Sequence, residues 1–215
     1  MLRVRNENLS ATMEASFSTP VVFDRANLKA MASTALQQFG EYGLRPNQIW
    51  QRLGDQLFDY ELSFALFSNQ AQIRLGSERL FVNVQNARGR SDAQLLLDCI
   101  ARAIKWVEAG PIGRFSFQVS SHAVFEAAAD HEAFFSPFVD ATNGVVGGGR
   151  IILAQEKDWP VPVRLMAENS LTSQDGVFLI WSTEFSGGMS LETLQVLADR
   201  ISKTAEKLGL HIGFE

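Results

Sequence analysis

The chain has 215 residues, 46% of them apolar, a single cysteine and a formal charge of -5. That balance excludes wholesale disorder and leaves material for a sizeable core. The lone thiol, Cys99, excludes a disulfide framework within the chain and a cysteine-based zinc site, and the acidic charge opposes binding to a phosphate backbone, where affinity comes from Lys and Arg displacing counterions. Sixteen Phe against two Tyr point to aromatics used for burial rather than for wet recognition.

The charged first residues lead into no long apolar stretch, so no secretory signal is expected. The apolar run Leu62 to Ser68 is too short to span a bilayer. The expectation is a soluble, cytoplasmic protein. Met13, Ala15 and Phe17 alternate with Glu14, Ser16 and Ser18, the period of a half-buried strand. Pro20 punctuates it. Asp24 then suits the cap of a helix running to about Phe39, with Leu28, Met31, Ala32, Ala35 and Leu36 on one face and Gly40 and Gly43 at its end. Strands are expected at about Gln48–Arg52, Leu57–Ser68, Ala71–Leu75 and Arg79–Gln85. Asn69-Gln70 and Gly76-Ser77 supply the turns of a hairpin meander. A loop from Asn86 to Arg90, its Arg88-Gly89-Arg90 read as a solvated turn, leads into a long helix from Ser91 to Glu108. Leu96, Cys99, Ile100, Ala103 and Val107 form its apolar stripe.

Gly110-Pro111 breaks the chain. Phe115, Phe117 and Val119 then alternate with Ser116, Gln118 and Ser120. A helical stretch is expected from about Glu126 to Phe138, with strands at about Gly149–Gln155, Val161–Glu168 and Val177–Phe185. Gly187-Gly188 leads to Ser190, the N-cap of a last helix to Leu208. Its stripe is Leu194, Leu197, Ala198, Ile201, Ala205 and Leu208.

The two halves follow each other closely. Ser16-Phe17 and Val22-Phe23-Asp24 answer to Ser116-Phe117 and Val124-Phe125-Glu126, and the long-helix stripes match at nearly the same offset. The expected fold is α+β: two pseudo-repeats of β-α-β-β-β-(β)-α, residues 1–110 and 111–215, either separate or forming one continuous domain. An antiparallel meander needs one face covered, and only the amphipathic helices can cover it. This element order resembles the helix-grip class and, duplicated, the saddle of the TATA-binding-protein fold. The resemblance implies helices on one sheet face, although the basic character with which such a saddle holds DNA is missing. The stretch Arg79-Leu80-Phe81-Val82-Asn83-Val84, a long helix and Arg114-Phe115-Ser116-Phe117 resemble the centre of a sporadically distributed bacterial family without an assigned activity.

No motif assembles a reaction centre. Asn143 to Gly149 is glycine-rich but precedes an expected strand, whereas a phosphate cradle needs a helix N-terminus after its glycines. Asp130-His131-Glu132 point in different directions around a helix and cannot share one metal ion. Cys99 lies on an apolar stripe, where a thiol behaves as a small hydrophobe. Asp59 and Glu61 are expected on one face of a strand. No Gly-x-Ser-x-Gly elbow and no His-Glu-x-x-His occurs. Phe134, Phe135 and Phe138, with Trp159 between prolines, are the candidate binding residues: they either close the core or form an exposed apolar patch that marks a partner.

The leading expectation is therefore a non-enzymatic binding or scaffold protein that holds a protein partner on a sheet face or in the cleft between repeats. No cofactor or metal is expected. A small apolar ligand held between long helix and sheet is the second possibility. An enzyme with acid-base residues among Asp59, Glu61, His122 and His131 is the third. Nucleic acid is the most distant partner. A pseudo-twofold monomer and a homodimer both fit.

Overall fold

The structure, a computed structural model, describes residues 1–21, 25–55, 59–87, 90–106, 112–136, 149–154, 162–186 and 191–213. Its elements in chain order are β1 (Leu2–Phe17), α1 (Arg25–Phe39), β2 (Trp50–Leu53), β3 (Tyr60–Leu66), β4 (Ala71–Gly76), β5 (Arg79–Ala87), α2 (Arg90–Trp106), β6 (Ile112–Phe125), α3 (Ala128–Phe135), β7 (Gly149–Ala154), β8 (Val163–Asn169), β9 (Gly176–Ser186), α4 (Leu191–Lys207) and β10 (Leu210–Gly213). The fold is α+β, with one large antiparallel sheet in the order β2-β3-β4-β5-β1-β6-β9-β8-β7. Reading outward from the β1/β6 pair gives β5, β4, β3 on one side and β9, β8, β7 on the other.

Alternation explains the strands. On one sheet face the rows run straight across many strands: Leu62, Leu75, Leu80, Ala15 and Phe115 form one, and Phe64, Ile73, Val82, Met13 and Phe117 the next. All ten are buried. The helices supply the other half of this core. In α2, Cys99, Ile100, Ala103, Ile104 and Trp106 are buried, and the helix packs on β1, β4 and β5. The helix α4 packs on β8 and β10, α3 on β6, and α1 on α2. Trp106 Nε1 donates to the Met31 carbonyl at 3.0 Å. Arg102 binds the Gln38 carbonyl at 2.6 Å and Asp98 at 3.1 Å, pairs with Glu41, and lies 4.7 Å from the centre of the Tyr42 ring.

Several boundaries differ from the sequence reading. Strand β1 starts at Leu2, not near Met13. A bulge between Asn6 and Asn8 reverses its side-chain parity, so Val4 and Asn6 are buried before it and Leu9, Ala11 and Met13 after it. An extra residue in one strand of a pair does this, and it hides the alternation from a period-two search. Buried Asn6 accepts a hydrogen bond from Ser121 Oγ at 2.7 Å there. The unexpected β10 pairs in parallel with Leu2–Arg5 of β1, while β5 takes the same side of β1 from Leu9 onward. Strand β3 begins at Tyr60, so Asp59 precedes it rather than sharing its face with Glu61. The turn after β3 spans Phe67–Gln70, with Phe67, Ser68 and Asn69 at φ 51°, 54° and 73°. Helix α1 gives way to a 3-10 turn at Gly40–Tyr42. Gly43 then takes φ 82°, the left-handed conformation that glycine adopts without a Cβ clash.

Candidate functional site

The helices cover the face with the buried rows. The opposite face is polar, and among the described residues no helix packs on it. Its rows are equally regular. Glu14, Ser116 and Glu184 are neighbours on β1, β6 and β9. The next row runs Thr12, Gln118, Ser182, Arg164 and Leu153, from the middle of the sheet to the edge strand β7. Beyond it lie Ser120, Ile180, Met166 and Ile151.

A trough of about 430 Å³ opens on this face, lined by Glu14, Ser116, Gln118, Leu153, Arg164 and Ser182 among others. Its volume lies in the range that holds a small ligand or a short stretch of chain. The two acids are already matched: Arg79 meets Glu14 at 3.3 Å and Arg114 meets Glu184 at 2.6 Å. The hydrogen bond from Arg114 holds the Glu184 carboxyl below the usual carboxylate range. Arg164 is exposed and has no ion-pair or hydrogen-bond partner among the described residues. At the rim Leu153 is 68% and Ile151 57% exposed. Gly149 starts β7 because a Cβ there would lie 2.7 Å from the Ala167 carbonyl oxygen, closer than neighbouring strands tolerate.

The four acid-base candidates do not meet. His122 lies on the open face of β6, stacked on Phe178 at 4.5 Å, with its Nδ1 3.3 Å from Ser170 Oγ and 3.2 Å from Thr172 Oγ1. Glu61 is on β3, four strand steps away, about 19 Å across the sheet at the usual spacing. Asp59 is exposed ahead of β3. His131 belongs to the helix side, with Nε2 2.9 Å from Asn169 Oδ1 and rings of Phe125 and Phe135 beside it. No group of three or more metal-ligating side chains occurs among the described residues.

The candidate binding residues Phe134 and Phe135 are buried, 2% and 3% exposed. Their rings meet edge-on at 4.9 Å, and the Arg150 guanidinium sits 4.5 Å above Phe134. They close the core and offer no surface of their own, so an exposed patch built on them is not what the fold makes. Phe138, Trp159 and the glycines from Gly144 to Gly148 lie outside the described residues. Cys99 is fully buried, and burial, reinforced by Asp98, pushes its thiol up to about 12. No helix among the described residues is long and apolar enough to cross a membrane.

Sequence reading missed Arg164, Gln118, Ser182 and Leu153. One signal was present. In Ile151-Ile152-Leu153 alternate side chains point to opposite faces, so at least one must leave the core. No protein-family model matches the chain, and no curated protein matches it.

Proposed function

We propose that the protein is a cytoplasmic, non-enzymatic binding or scaffold protein that holds a segment of a protein partner on the open sheet face. The observation that carries this reading is the division of labour between faces. One is sealed by helices, while the other bears a trough with an arginine unmatched among the described residues and an exposed apolar rim. Exposed apolar side chains grouped beside polar ones mark interaction surfaces. The dispersal of Asp59, Glu61, His122 and His131 argues against acid-base catalysis, which needs such groups within hydrogen-bond reach of one substrate. We further infer that residues 1–110 and 111–215 are two copies of one β-α-β-β-β-(β)-α unit, joined through β1 and β6. The mirrored strand order supports this.

Photo-crosslinking tests the proposal. A crosslinker at Gln118 on the open face should yield a discrete protein adduct in cell extract, and one at Lys203 on the helix side should not. Equal labelling from both positions, or small-molecule adducts alone, would end the proposal.

A second reading, an apolar ligand between sheet and long helix, is favoured by one observation. Trp181 is 2% exposed on the helix side, and its indole N–H has no acceptor among the described residues. A buried donor without a partner costs stability, and an acceptor atom on an otherwise apolar ligand would satisfy it. A red shift of the Trp181 emission on extraction with organic solvent, absent from Trp181→Phe, would support it; an unchanged spectrum would remove it.

A further inference from the structure

We propose that the trough takes an extended partner segment in which an acidic and an apolar side chain stand two residues apart. This inference rests on the open-face reading above and names the chemistry of the segment.

The charge pattern supplies the first argument. Of the three arginines around the trough, Arg79 and Arg114 are each neutralised by a glutamate on the neighbouring strand. Arg164 alone of the three has no such partner among the described residues. A guanidinium is a planar fork of donors that matches a carboxylate bidentately. Gln118 and the hydroxyls of Ser182 and Ser116, on the adjoining strands, offer further donors to the same oxygens or to the segment's backbone.

Periodicity supplies the second. Arg164 and Met166 face the same side of β8, and Leu153 and Ile151 the same side of β7. Going from the first level to the second advances two residues, about 6.6 Å along a strand. An extended segment repeats its side-chain direction at the same interval. A carboxylate at the level of Arg164 therefore sets the next same-facing side chain at the level of Ile151, Met166 and Ile180, which are apolar and not fully buried.

The glutamates decide against a nucleic acid on the same face. Glu14, Glu184 and Glu168 are interspersed with the arginines, and each opposes a phosphodiester backbone.

Calorimetry on the intact chain tests this with three probes: acetyl-(Glu-Ser-Leu-Ser)2-amide, its glutamine analogue and its lysine analogue. The acidic peptide should bind about tenfold more tightly than the glutamine analogue, and the lysine analogue not at all. Arg164→Met should lower the acidic peptide to about the level of the glutamine analogue and affect the latter far less. Ile151→Ser should weaken both. Both positions are exposed, so the variants should melt like the parent, which circular dichroism checks. If Arg164→Met weakens acidic and neutral peptides alike while Ile151→Ser weakens both, the carboxylate inference is wrong and the open-face reading stands. If no peptide binds, or if binding ignores both substitutions, the inference falls, and failure of crosslinking from Gln118 would then take the open-face reading with it. Tight binding of oligothymidylate that depends on Arg164 would overturn the inference in favour of a phosphate ligand.

Discussion

Ser121 Oγ donates a 2.7 Å hydrogen bond to Asn6 Oδ1 across the β1/β6 seam, and both residues are buried, 1% and 5% exposed. The pair sits where the β1 bulge changes parity, so a polar side chain enters the core at a place where the strand loses its regular register. Ser121→Ala removes a buried donor from its acceptor and should cost about 1–3 kcal/mol. Urea unfolding measures this, and a change below a few tenths would mean that water or a shifted Asn6 replaces the bond.

Arg102, held by Asp98 on its own helix, joins α2 to the end of α1 by a hydrogen bond to the Gln38 carbonyl, an ion pair with Glu41 and a stack on Tyr42. Loss of these charge-assisted bonds in Arg102→Met should cost about 2 kcal/mol. Arg102→Lys should recover only part of it, because an ammonium cannot fork between acceptors or stack on a ring. Full recovery by lysine in a thermal melt would reduce the residue to a point charge.

Much of this architecture was legible from alternation and helical stripes. The hairpin meander of the first half, the two long helices and the antiparallel sheet with helices on one face follow from where Phe, Leu and Ile recur. What stayed hidden has physical causes. The bulge at Glu7 breaks the period of two, so the first half of β1 has no consistent stripe to detect. Strand β10 has four residues, too few to show any period. The trough was illegible for a different reason. Arg164, Gln118 and Ser182 look like any solvent-facing strand residues until the fold decides which face the helices take. Phe134 and Phe135 conveyed the opposite impression, because a cluster of rings reads equally well as core or as surface until its burial is known.

Cys99 is shielded twice over, by burial and by a thiol pushed up to about 12. Since the thiolate is the reactive form, native protein at pH 8 should react with Ellman's reagent far more slowly than unfolded protein. Labelling at the unfolded rate would show that α2 lifts off the sheet often.

The Arg114–Glu184 pair makes a pH prediction whose sign is fixed. Its hydrogen bond holds the folded carboxyl below its unfolded value. Any stabilisation is therefore present above the ordinary carboxylate value and disappears as pH falls through the lowered one. In a carbon-detected titration, Arg114→Gln should raise the Glu184 midpoint toward that of a free glutamate, near 4.3. An unmoved midpoint would mean that the pair does not persist in solution. Both side chains are exposed, so the effect should fade in high salt.

The trough draws its lining from β1 as well as from β6, β7, β8 and β9. Thr12 and Glu14 come from the front of the chain, Leu153 and Arg164 from the back. Neither stretch on its own carries the whole lining, so it cannot be transplanted as a detachable cassette. A lineage that lost or exchanged one end of the polypeptide would forfeit the trough with it.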